Sequence, residues 1–118
     1  MATVKESALR EARRIYKAIN DNFEAVFAKC KTDQQRRQLK ECYSAAQTAR
    51  LKLIEKSLSE NNAFVKGIIK DLKATNTRAV QALKDLKDIE AVLKLVTEAV
   101  RLSLAIQTFG EPATEAEA

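Results

Sequence analysis

The chain has 118 residues, and its 21 lysines and arginines outweigh its 16 aspartates and glutamates, giving a net charge of +5. It contains two glycines, one proline, and no histidine or tryptophan. So few turn-forming residues argue against an all-β or an alternating β/α fold. A chain of this length is expected to form one domain around a single core.

The N-terminal segment and the two cysteines suggest a cytoplasmic protein. Residues 1–17 are too rich in charge for the apolar core of a secretory signal, and no uncharged run reaches the ~18 residues that would span a bilayer. Cys30 and Cys42 are expected to be reduced core residues, because the helices predicted below separate them by roughly 15 Å along neighbouring helices and cysteine is among the most buried residue types. An intermolecular bridge is the alternative.

The first helix is predicted from Val4 to Cys30. Thr3 and Glu6 have the spacing of a capping box, and apolar residues then recur at steps of three and four, which keeps one helix face apolar. These residues are Ala8, Ala12, Ile15, Ile19, Phe23, Val26 and Cys30, with Tyr16 and Phe27 widening the face. A turn is predicted at residues 31–32, because Thr32 and Gln35 repeat the capping spacing.

The second helix is expected to contact neighbours on two sides. One set of apolar residues follows a heptad pattern and comprises Leu39, Cys42, Ala46, Ala49 and Leu53. A second stripe on another flank comprises Leu51, Ile54 and Leu58. The aromatic residues Tyr16, Phe23, Phe27, Tyr43 and Phe64 have the spacing of core or seam residues.

Two polar clusters interrupt the middle of the sequence, at residues 57–62 and 74–77. Their serine, threonine and asparagine side chains compete for backbone hydrogen bonds, which favours caps and turns. We predict a break at each cluster. A single helix over residues 33–75 is the alternative, since neither cluster contains glycine or proline.

The last helix is the most apolar segment, since twelve of the eighteen residues from 89 to 106 are alanine, valine, leucine or isoleucine. Its main seam comprises Leu83, Leu86, Ile89, Leu93, Val96, Val100 and Leu104. It is expected to end near Phe109, before Gly110 and Pro112. The predicted fold is an all-α bundle of three or four mainly antiparallel helices over residues 1–109, followed by a disordered acidic tail over residues 110–118.

The sequence offers few ingredients for catalysis, so we expect a protein that is not an enzyme and has no cofactor or metal. Histidine, the usual general base and the commonest metal ligand, is absent, and the two glycines are too far apart for a phosphate-binding loop. Asp85, Asp88 and Glu90 form an acidic cluster, with residues 85 and 88 expected on one helix face. Lysines flank this cluster, which favours a solvated charged surface over a cation site.

Basic residues are concentrated in the first predicted hairpin, since residues 1–56 contain 13 basic and 7 acidic side chains, a net charge of +6. Arg10, Arg13, Arg14 and Lys17 form one stripe, and Lys29, Lys31, Arg36, Arg37 and Lys40 surround the first turn. One interpretation is contact with nucleic-acid phosphates. The other is an ordinary solvated surface.

The last helix leads to the main functional hypothesis. Its apolar residues Leu86, Ile89, Leu93, Val96, Val100 and Leu104 could form the core of the bundle, bind a second copy or a partner protein, or insert into lipid. Because the sequence combines an excess of apolar helical surface with an absence of site chemistry, we expect a protein–protein interaction module acting by helix packing. The alternatives are nucleic-acid binding by the basic hairpin and binding to an anionic lipid surface.

Overall fold

Residues 2–110, the part of the chain that the computed structural model describes, form four α-helices. They are α1 (Val4–Lys29), α2 (Asp33–Glu55), α3 (Ala63–Asp85) and α4 (Ile89–Phe109). This confirms the predicted all-α bundle, in which helices that follow one another in the chain run antiparallel. Gly110 caps α4, and the rest of the predicted tail lies outside the described residues.

The helices form a four-cornered bundle in which α1 and α4 each pack against both α2 and α3. Within the described chain, α2 and α3 occupy opposite corners without contacting each other, so residues 56–62 cross one end of the bundle. We call this end, where α1 and α3 begin and α2 and α4 end, the loop end. The neighbours α1 and α3 run parallel, because their contacts advance together from Val4–Glu60 to Arg14–Thr77.

Each helix begins at a side chain that accepts a hydrogen bond from the first turn. Thr3 and Glu6 form the predicted capping box at α1. Thr32, Asn62 and Asp88 provide the corresponding acceptor at α2, α3 and α4. Such caps satisfy backbone amides that have no partner inside the helix, which fixes where each helix starts.

Only one of the two polar clusters interrupts a helix. The predicted break at residues 57–62 is confirmed, but the break at 74–77 is wrong, because α3 continues through it. The alternative of one helix over 33–75 is also wrong. Inside α3, the side chain of Asn76 is fully buried and donates hydrogen bonds to Glu11 on α1, and the Thr77 hydroxyl donates to the Lys73 carbonyl. The Asn76 nitrogen and the Thr77 hydroxyl therefore find partners without breaking the helix, whereas the Asn76 side-chain oxygen is buried without a hydrogen-bond partner in the described part of the chain.

The connection between α3 and α4 departs from the prediction. Leu83 and Leu86 are not part of the last helix: Leu83 lies in α3, and Leu86 ends α3 in the left-handed conformation, with φ 48° and ψ 39°. Asp88 then caps α4. The expectation that Asp85 and Asp88 share a helix face is wrong for the same reason, since the turn separates them.

The core lies among all four helices, and α4 contacts each of the other three. The second predicted stripe of α2 is wrong as a packing surface, because Leu51 and Ile54 are 47% and 41% exposed. Leu58 is buried, but it belongs to the connection after α2. Phe64, expected in the core or a seam, is 63% exposed.

Cys30 and Cys42 are free thiols and both are buried, as predicted. Within residues 2–110, none of the helices combines the length and the apolar character that a bilayer crossing requires.

Candidate binding surfaces

The apolar residues predicted to contact a partner lie mostly in the chain's own core. Ile89, Leu93, Val96 and Val100 are each at most 8% exposed, and Leu86 and Leu104 are half-buried against the core. The structure therefore supports the interpretation of α4 as a core helix. These six side chains do not form a free apolar surface in this fold.

The basic residues around the first turn are partly occupied by contacts within the chain. The Arg36 guanidinium lies 2.7 Å from an Asp33 carboxylate oxygen, and the Lys40 ammonium lies 5.5 Å from the centre of the Phe27 ring. Lys29 and Lys31 border a cavity of about 450 Å³ shared with the start of α4. Arg37 is exposed.

The basic stripe of α1 is distant from this turn, since Lys17 and Lys29 are separated by roughly 18 Å of helix. The two basic groups predicted as one hairpin surface are therefore separate. Arg10, Arg13, Arg14 and Lys17 instead line a depression of about 470 Å³ on the outer side of α1.

Three lysines of α3 join the α1 stripe, which sequence reasoning missed. Lys66, Lys70 and Lys73, together with Arg10, line a cavity of about 460 Å³ between α1 and α3. The lysine spacing of four and three residues places them on one side of a helix. We define the basic face as Arg10, Arg13, Arg14, Lys17, Lys66, Lys70 and Lys73.

Three carboxylates, those of Glu6, Glu11 and Glu60, line the two cavities of the basic face, and each accepts a hydrogen bond within the protein, although Glu6 and Glu60 are exposed. Glu60 accepts hydrogen bonds from the Val4 amide at 3.0 and 3.2 Å. Glu11 is 5% exposed and accepts from Asn76 at 3.0 Å and from Arg14 at 3.3 Å. Over residues 2–110, Arg14 is the one member of the basic face with a carboxylate oxygen within 4 Å. The remaining six cations have no ion-pair partner in this part of the chain.

A different surface lies at the loop end, where the large exposed apolar side chains of the described chain collect. Leu51, Ile54, Phe64 and Phe109 are 41–63% exposed, and each lies within about one helical turn of the loop end. The rings of Phe64 and Phe109 meet edge to face, with centroids 5.4 Å apart and planes at 84°. We call these two residues the aromatic pair. Sequence periodicity did not single them out.

A third feature, a polar cavity of about 510 Å³ between α2 and α4, lies beside Cys42. The Cys42 sulfur is 3.4 Å from the Thr97 hydroxyl, to which the Gln38 amide also donates at 2.9 Å. Burial raises the pKa of the Cys42 thiol, so the thiol stays protonated at neutral pH and is a poor nucleophile. No group of three or more potential metal ligands occurs among the residues the structure covers.

Comparisons with known proteins add no functional assignment. The sequence matches no family model, and no similar curated protein or solved structure was found.

Proposed function

We propose that the protein is a non-enzymatic interaction module that self-associates through the aromatic pair at its loop end. The observation that carries this proposal is the exposure of Phe64 and Phe109, at 63% and 54%, in direct edge-to-face contact. The proposal keeps the hypothesis of a protein–protein interaction, but replaces helix packing through α4 by contact between aromatic rings at the loop end.

The energetic argument rests on the size and rigidity of the two rings. Burying apolar surface is favourable by roughly 25 cal/mol per Å², and a phenylalanine covers about 150–250 Å² when fully buried. The two rings already contact each other, and the Asn62 amide donates to the Phe109 carbonyl at 3.3 Å. Little conformational entropy is therefore lost when a second surface covers them.

A second copy of the chain is the occupant that fits the charge of this end. Among residues 2–110, the charged residues within about one turn of it are Lys5, Lys52, Lys56, Lys66, Glu6, Glu55 and Glu60. Four positive and three negative side chains nearly balance, so two loop ends can approach without strong repulsion. Two-fold dimers bring the same patch of both subunits together, which would place one aromatic pair against the other.

Size-exclusion chromatography with light scattering tests the proposal at high salt, where apolar contacts persist and charge effects are screened. The unmodified chain and a control carrying Leu51→Ser and Ile54→Ser are expected to be dimers. A variant carrying Phe64→Ser and Phe109→Ser is expected to be a monomer with unchanged helical circular dichroism. All four side chains are exposed, so each variant should fold. A monomeric unmodified chain, or a Phe64→Ser, Phe109→Ser variant that still dimerises, would overturn the proposal.

The proposal includes a cytoplasmic location. Its support is the two free, buried cysteines, which suit a reducing compartment.

A further inference from the structure

We infer that the basic face is a binding site for nucleic acid, which it contacts through phosphate groups. This inference concerns the α1–α3 side of the bundle and does not depend on self-association at the loop end. It also relocates the nucleic-acid hypothesis, because the α3 lysines replace the basic residues of the first turn.

The basic face has the form of two parallel rows of cations. On α1 the row extends from Arg10 to Lys17, and on α3 from Lys66 to Lys73. Each row spans seven residues, or roughly 10 Å of helix. Since one DNA strand carries a phosphate about every 3.4 Å along the duplex axis, each row matches the length of about three phosphates.

The cations are available for such contacts. Six of the seven have no carboxylate within 4 Å in the part of the chain described. Arg14, the exception, is held by Glu11 and also donates to the Thr77 hydroxyl at 3.1 Å. This places its guanidinium across the boundary between the two helices, where it connects the two rows. The carboxylate of Glu11 is itself almost fully buried, so it presents little negative charge to a ligand.

The composition of the face favours nucleic acid over a protein or a lipid surface. Its apolar side chains, Leu9 and Ile69, are half-buried, whereas the large exposed apolar residues lie at the loop end. Protein interfaces usually centre on aromatic and arginine side chains packed in desolvated pockets, and this face has arginines but no aromatic side chain among its members. Lipid binding is strengthened by apolar insertion, for which the face offers no large exposed apolar side chain. A phosphate backbone is recognised by cations and hydrogen-bond donors alone. The expected binding is therefore independent of sequence.

Fluorescence anisotropy with labelled duplexes of about 20 base pairs, in two unrelated sequences, tests the inference. Both duplexes are expected to bind equally, and affinity should fall steeply between about 50 and 200 mM salt, with a log–log slope of about −4.5 to −6.3 for five to seven neutralised phosphates. Absence of binding at the lower salt concentration, or a strong preference for one sequence, would overturn it.

A matched pair of charge-reversal variants tests the location. Arg10→Glu, Lys66→Glu and Lys70→Glu change the basic face, whereas Lys29→Glu, Lys31→Glu and Arg37→Glu make the same change in net charge at the first turn. The first variant is expected to lose at least about 30-fold in affinity, and the second less than about threefold, since only the first removes direct phosphate contacts. Circular dichroism checks that both fold. Equal losses would contradict the assignment to the basic face.

Two competitors distinguish nucleic acid from an acidic polypeptide and from an anionic lipid surface. Poly-glutamate and vesicles containing phosphatidylserine are expected to displace the duplex only at much higher charge concentration. Stronger binding of either competitor than of the duplex would overturn the choice of nucleic acid as the ligand.

Discussion

Asn76 on α3 joins Glu11 on α1 by two hydrogen bonds from one side-chain amide. Its nitrogen donates to the Glu11 carbonyl oxygen at 2.9 Å and to the Glu11 carboxylate at 3.0 Å. Asn76 is fully buried and Glu11 is 5% exposed, so water cannot replace these bonds freely. The pair therefore fixes how α3 lies beside α1, and through Arg14 it also orients part of the basic face.

Asn76→Ala is expected to lower the free energy of unfolding by about 2–3 kcal/mol, because it leaves the buried oxygens of Glu11 without this donor. Urea denaturation followed by circular dichroism measures the change. Thr77→Ala is the control: its hydroxyl is exposed and bonds to Lys73 and Arg14, so the expected loss is below about 0.5 kcal/mol. Similar losses in the two variants would refute a special role for the buried amide.

The two glycines are expected to respond to alanine with opposite signs. A Cβ atom at Gly67, inside α3, would have no neighbour within 4 Å, so Gly67→Ala should raise the free energy of unfolding by up to about 1 kcal/mol through helix propensity. At Gly110 a Cβ atom would lie 2.5 Å from Leu58 and 2.7 Å from the Ile106 carbonyl oxygen. Gly110→Ala should therefore be destabilising. Thermal denaturation of both variants checks the pair, and a shared sign would contradict the packing described here.

Two aspartates near the α3–α4 turn should differ in their contribution to stability. Asp88 accepts hydrogen bonds from the Glu90 and Ala91 amides at the start of α4, so Asp88→Ala should cost about 1 kcal/mol. Asp85 lies at the end of α3, where a negative charge opposes the helix dipole, and Asp85→Ala should cost less than about 0.5 kcal/mol. Urea denaturation tests the difference. An equal cost would mean that the cap is not what holds this turn.

The helix ends show which features a sequence can reveal. The bounds of α1 follow from a capping box and a regular apolar period, both of which are local. The left-handed Leu86 could not be predicted in this way, because leucine rarely adopts that conformation and an apolar spacing continues through it. The predicted break at residues 74–77 was wrong for a different reason. The partner of Asn76, Glu11, is 65 residues away in the chain, so a tertiary contact determines whether the cluster breaks the helix.

Only part of each candidate surface could be predicted from the sequence, because the rest depends on contacts between helices that are distant in the chain. The α1 stripe is visible in the spacing of its arginines. Lys66, Lys70 and Lys73 become part of the same surface only because α1 and α3 are parallel neighbours, and periodicity within one helix does not specify its neighbours. Exposure of Phe64 likewise depends on where α3 begins relative to the end of α4.

Cys42 provides a pH-dependent prediction. Burial raises the pKa of its thiol above the ordinary value of 9.0, so the folded protein keeps the proton at pH values where the unfolded chain releases it. The contribution of the thiol to stability is therefore complete below pH 9.0 and declines as the pH rises above that value. Urea denaturation of the unmodified chain and of Cys42→Ser should show a stability difference that shifts in favour of the serine variant between about pH 8 and pH 10, since a serine hydroxyl does not titrate in this range. All other titrating groups are common to both proteins, so a difference that stays constant across this range would contradict the raised pKa.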